Sequence, residues 1–205
     1  MPEIEFTSQA QIFSFAARMC QWAQVHLRTA IMQNDPRWIS RAVIALHFPI
    51  RHTYYANTRT LEAIMNTYLS IGRFLTTRDW KHIMDAIKNL EFAEREFWWM
   101  STQAPFKKLE PQPPQLGAFY KGVWWNLDRA LDRNLPGIAA GWLAVSIFYP
   151  LARGGKFLQL VRNRAAIQQA VEQIYQQTGP VIRREAPELW KLIQDLVRSI
   201  RQTPR

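Results

Sequence analysis

At 205 residues and 24.1 kDa the chain has room for one domain, or for a small domain plus a membrane arm. Its 26 Lys and Arg against 16 Asp and Glu give a net charge of +10, which favours acidic partners: nucleic acid, anionic lipid or acidic protein surfaces. The single cysteine, Cys20, excludes a disulfide framework and any multi-cysteine zinc site, and on a helix it reads as a small hydrophobe.

No period-two strand pattern occurs and glycine is scarce, so the expected fold is all-α. Thr7 or Ser8 caps a first helix to about Gln33, with Ile12, Phe13, Ala16, Met19, Ala23, Ala30 and Ile31 at helical spacing. Asn34-Asp35-Pro36 ends it and starts a second helix, Asp35 as N-cap and Pro36 in the first helical position. That helix is expected to stop before Pro49. A third runs from about Thr58 to Leu75, and a fourth, capped by Thr77, from Asp79 to about Met100. Residues 1–103 are thus expected to be an N-terminal helical domain, a four-helix bundle able to fold by itself.

Residues 104–115 hold four prolines and no apolar period, and read as a semi-rigid Pro-rich linker. Leu116 to Asn134 is an amphipathic helix with Phe119, Val123, Leu127 and Ala130 on one face. The run Leu135 to Ala152 contains no ionisable side chain except Tyr149. As a helix it is ~27 Å long, close to the roughly 30 Å hydrocarbon core of a bilayer. Trp124, Trp125, Arg129 and Arg133 stand before it, and Arg153, Lys156, Arg162 and Arg164 after it, so a single transmembrane helix over about residues 135–152 is expected. Gly137, Gly141 and Ala144 lie toward one side of that helix, where close backbone approach to a membrane helix of another subunit is expected, while Trp142, Ile147 and Leu151 face lipid or looser contacts. After a bend at Gly154-Gly155, residues 165–205 form a C-terminal helical tail, broken at Thr178-Gly179-Pro180 and resumed at Pro187. The sequence shows no internal repeat.

Gly117-Ala118-Phe119, Gly122, the aromatic and basic stretch after them, and Gly137-Ile138 opening an apolar helix with a basic exit form an ordered set. In this order the segment 116–164 resembles subunit f of the mitochondrial F1Fo ATP synthase. It departs from that family where Ala130 and Asp132 stand in a region of family aromatics, and where Pro136 precedes the glycine. The segments before and after are extensions that the resemblance does not cover. It implies a structural, non-catalytic subunit of the Fo sector in the mitochondrial inner membrane. Such a subunit braces the proton-carrying subunit a and the peripheral stalk, supports dimer contacts, and keeps its N-terminal domain in the matrix. Lys121, Arg129 and Arg133, with Trp124 and Trp125 at the interface, are expected to meet anionic lipid such as cardiolipin, unless these bases pair with Asp128 and Asp132. Glu3 and Glu5 precede the first base, Arg18, so the N-terminus does not read as a transit peptide and an import signal would be internal or unprocessed.

The residues argue against an enzyme. His26, His47, His52 and His82 never fall at metal-ligand spacing with a carboxylate. Phosphate loops and nucleophile elbows are absent from the sequence, and no cofactor is expected. A basic all-α nucleic-acid-binding or interaction module is the alternative. Against nucleic acid stands the charge of residues 1–115, where Lys and Arg are nearly matched by acids and form no basic run.

Overall fold

The computed structural model describes residues 6–52, 56–103, 114–153 and 164–202. Among these residues there are eight helices and no strand, in agreement with the all-α expectation. They are α1 (Gln9–Gln33), α2 (Trp38–His52), α3 (Thr58–Thr77), α4 (Lys81–Gln103), α5 (Pro114–Asp132), α6 (Pro136–Arg153), α7 (Arg164–Glu185) and α8 (Pro187–Gln202). Residues 104–113 of the Pro-rich linker and the Gly154-Gly155 bend lie outside the described residues.

The caps follow the side chains. Ser8 is extended and its hydroxyl accepts the Gln11 N–H, satisfying one orphan donor of α1. Asn57 does the same for the Thr60 N–H at the start of α3, and the Asp79 carboxylate accepts the Lys81 N–H before α4. Asp35 turns the chain into α2, accepting the Arg37 N–H while holding the Arg37 guanidinium. Two expected breaks do not occur: α2 continues through Pro49 and α7 through Pro180. An interior proline costs about 3 kcal/mol, and tertiary packing offsets it. Pro49 is buried, and the turn after Pro180 presses Val181 and Ile182 onto α6.

The helix at the centre is α3. Ala63, Ile64 and Met65 are buried in succession, as are Thr67 through Ile71, so only a narrow stripe through Arg59, Glu62, Asn66 and Arg73 is left toward solvent. Its neighbours are α2, α4, α6 and α7; α1 lies between α2 and α4, α5 bridges α2 and α6, and α8 rests on α6 and α7. One hydrophobic core therefore runs from Ile12 on α1 to Ile200 on α8.

The expected membrane span is corrected by this packing. No described helix is long and apolar enough to cross a membrane. Instead α6 buries Ala139, Ala140, Leu143, Ala144, Val145 and Phe148 among α3, α5, α7 and α8. The cause is composition: the run draws on Gly, Ala, Ser146 and two prolines where a span would draw on Leu, Ile and Val. Small residues lower hydropathy and let neighbouring helices come close, which suits a core helix.

The hairpins α1–α2 and α5–α6 turn in the same way. Asn34 and Asn134 both have positive φ, near 50°, and the residue after each donates its N–H to the carbonyl of Ala30 and of Ala130. This is a Schellman ending with asparagine at the left-handed position. The pattern Ala30-Ile31, Asn34, Pro36 recurs as Ala130-Leu131, Asn134, Pro136, a short repeat that the reading of the sequence passes over.

Candidate functional site

The residues expected to meet lipid headgroups lie on α5. Trp125 is 52% exposed, and the Arg129 guanidinium, one turn later, lies 4.4 Å from the centre of its indole ring. Helical spacing at i and i+4 places the two together, and a cation on the last turn also suits the helix dipole. Arg133 is exposed just past the helix end. Among the described residues neither Arg129 nor Arg133 makes an ion pair with Asp128 or Asp132. The side chains of Lys121 and Trp124 lie outside what the structure describes. The opposite face holds α5 in the fold: Val123, Leu127 and Ala130 are buried, and Phe119 stacks on Tyr149 of α6 at 3.8 Å. Gly122 faces open space.

The small-residue side of α6 meets helices of this same chain. A Cβ on Gly137 would lie 3.1 Å from Val181 of α7. On Gly141 it would lie 2.6 Å from Ile182 and 3.2 Å from Leu189 of α8. Ala144 is buried on the same stretch, and Trp142 is half-buried against the core. The side chains of Ile147 and Leu151 are not described.

A second aromatic surface escaped sequence reasoning. Trp22 and His26 on α1 meet edge-on at 6.1 Å, His26 stacks on Trp38 of α2 at 5.8 Å, and the Arg41 guanidinium covers the Trp38 ring at 4.3 Å. Trp38 donates its indole N–H to Gln33. Only the pairing of α1 with α2 brings these four together; the hint in the sequence was Trp22 falling outside the apolar stripe of α1. Desolvation and the nearby Arg41 charge both hold the His26 imidazole below the ordinary histidine range. Its Nδ1 is buried with no hydrogen-bond partner. The neutral ring is favoured in the fold, so its contribution is complete above about pH 6.5 and is lost as pH falls through the lowered value. His26→Phe keeps the stack and removes the unpaired nitrogen. It is expected to hold stability within about 1 kcal/mol at neutral pH, on the stabilising side, and to lessen the loss on acidification. Urea midpoints of both proteins at neutral and mildly acidic pH measure this.

The corners at Asn34, Arg78 and Asn134 surround a cavity of about 230 Å³ lined by Asp35, Pro36, Arg37, Arg78, Leu131, Asp132, Asn134 and Leu135. Arg37 is committed to Asp35, whose carboxyl it holds below the usual carboxylate range, so the opposing charges in the lining offset one another. Among the described residues no group of three or more His, Cys, Asp or Glu could hold a metal ion. Cys20 is fully buried; burial first, and the Glu94 charge second, push its thiol far up, away from the reactive thiolate. The chain matches no protein-family model, no curated protein and no solved structure.

Proposed function

We propose that the chain is a structural, non-catalytic subunit that braces the membrane sector of a mitochondrial ATP synthase, seated against the inner membrane from its matrix side. Two features support the reading. The residues resembling subunit f, from Gly117 to Gly122, lie in the first half of α5, and the second half presents Trp125 with Arg129 stacked over it. The second carries the proposal: an exposed indole under a guanidinium serves a headgroup interface, where the ring sits at the polar boundary and the cation meets phosphate. With α6 enclosed by the chain itself, attachment would run along helix surfaces, through lipid and the neighbouring Fo and stalk subunits, and not through a span of its own.

Purification of the tagged chain from mitochondria in mild detergent tests the reading. ATP synthase subunits are expected to co-purify, with cross-links from α5 to Fo or peripheral-stalk subunits. Recovery free of every ATP synthase subunit would overturn the assignment.

A further inference from the structure

The α1–α2 hairpin has a charge pattern unlike the rest of the chain. Its helices carry Arg18, Arg28, Arg41 and Arg51 and no carboxylate. Asp35, between them, is held by Arg37, and Arg28 pairs sideways with Glu91 of α4. Among the described residues Arg18 and Arg41 make no ion pair. The acids that balance the N-terminal half sit elsewhere, chiefly on α4 as Asp85, Glu91, Glu94 and Glu96. The near-neutral total for residues 1–115 therefore hides one basic hairpin.

The same hairpin exposes apolar side chains. Along the outer face of α1, Trp22 is 61% exposed, Val25 58% and Met32 77%, at helical spacing from Arg18. On α2, Ile44 is 42% exposed and stands one turn from Arg41. The stack from Trp22 through His26 and Trp38 to Arg41 joins the two helices across this face.

We infer that the α1–α2 face docks on an anionic lipid bilayer. Arg18 and Arg41 meet headgroup phosphates, Trp22 lies at the interfacial level, and Val25, Ile44 and Met32 reach the acyl boundary. The exposed aliphatic side chains select lipid over nucleic acid: stacked bases and phosphates would use the indole and the guanidiniums but offer nothing to Val25, Ile44 or Met32. Charge complementarity supplies the rest, since α1 and α2 carry cations and no carboxylate, and the acids beside them on α4, Glu91 and Glu94, are engaged by Arg28 and by Gln21 and Gln24. The inference does not depend on membership of ATP synthase, because it concerns the purified chain and a bilayer alone.

The test is flotation of the purified full chain with vesicles of phosphatidylcholine, or of phosphatidylcholine with a minority of cardiolipin. Binding is expected on the anionic vesicles, falling with added salt, and little on the neutral ones. Arg18→Gln with Arg41→Gln should weaken it roughly twenty-five-fold, from about fivefold per surface base, and Trp22→Ser should weaken it again. All three changes are on exposed side chains. A matched α5 variant, Trp125→Ser with Arg129→Gln, separates the two surfaces. The inference fails if only the α5 variant loses binding, if neutral vesicles bind equally well, or if the chain shifts a single-stranded oligonucleotide while leaving vesicles unbound.

Discussion

Val145→Arg is expected to leave no cooperatively folded chain in detergent-free buffer. Val145 is 0% exposed and sits on the part of α6 enclosed by neighbouring helices. A guanidinium there would lose its water and find no carboxylate prepared for it. An uncompensated buried charge costs about 3–5 kcal/mol before overpacking is added, against a total stability on the order of 5–15 kcal/mol for a domain. Met84→Arg on α4, where Met84 is 53% exposed, should shift stability by no more than about 0.5 kcal/mol. Urea unfolding followed by circular dichroism compares the two. A Val145→Arg chain that unfolds cooperatively near the wild-type midpoint would mean that α6 does not face the core.

Gly141→Leu is expected to be the next most damaging change. Even a bare Cβ at this position would meet the Ile182 Cδ1 at 2.6 Å, and Ile182 is itself 0% exposed and closely packed. The branched side chain of leucine would have to displace Ile182 and Leu189 together. Overpacking of this kind costs about 1–3 kcal/mol or more, partly offset by the roughly 1 kcal/mol that leaving glycine gains in a helix. Gly141→Ala meets only side-chain ends, the Ile182 Cδ1 at 2.6 Å and the Leu189 Cδ2 at 3.2 Å, which need give far less than for leucine, so the two terms nearly cancel. Gly179→Ala should cost more than Gly141→Ala, because its Cβ would strike the Trp190 ring at 2.7 Å and that ring is stacked on Tyr175. The order of the three urea midpoints decides the matter: Gly141→Leu lowest, Gly141→Ala close to wild type. Equal midpoints would remove the close approach of α6 to α7 and α8.

Periodicity and caps made the helices legible, because these are local properties. Ser8, the Asn34-Asp35-Pro36 corner and Pro187 each stand at or within a few residues of a helix end. The faces were legible as well: Val123, Leu127 and Ala130 are the buried side of α5. What the chain order conceals is which helix covers which. Apolar runs look alike whether lipid or protein surrounds them, so Leu135–Ala152 read as a span until α3, α7 and α8 were seen to enclose it. The prolines misled in the opposite direction. Pro49 and Pro180 are local breakers, and long-range packing, which no local rule contains, carries the helices through them. On the surface, Trp125 with Arg129 is an i, i+4 pair and could be read directly, whereas the stack of Trp22, His26, Trp38 and Arg41 exists only after two helices meet.

The central place of α3 also sets a timetable for synthesis. Its α4 side is covered by chain that follows at once, but its α6 side waits for a helix that begins at Pro136. Roughly 60 residues separate the end of α3 from that helix, so at about 5–20 residues per second a nascent chain holds this apolar flank uncovered for several seconds. During that interval the ribosome carries a half-built molecule whose innermost helix is open on one side. Chaperones that bind nascent hydrophobic surface would meet this chain between the emergence of α4 and that of α6, and would be released as α6 closes over α3.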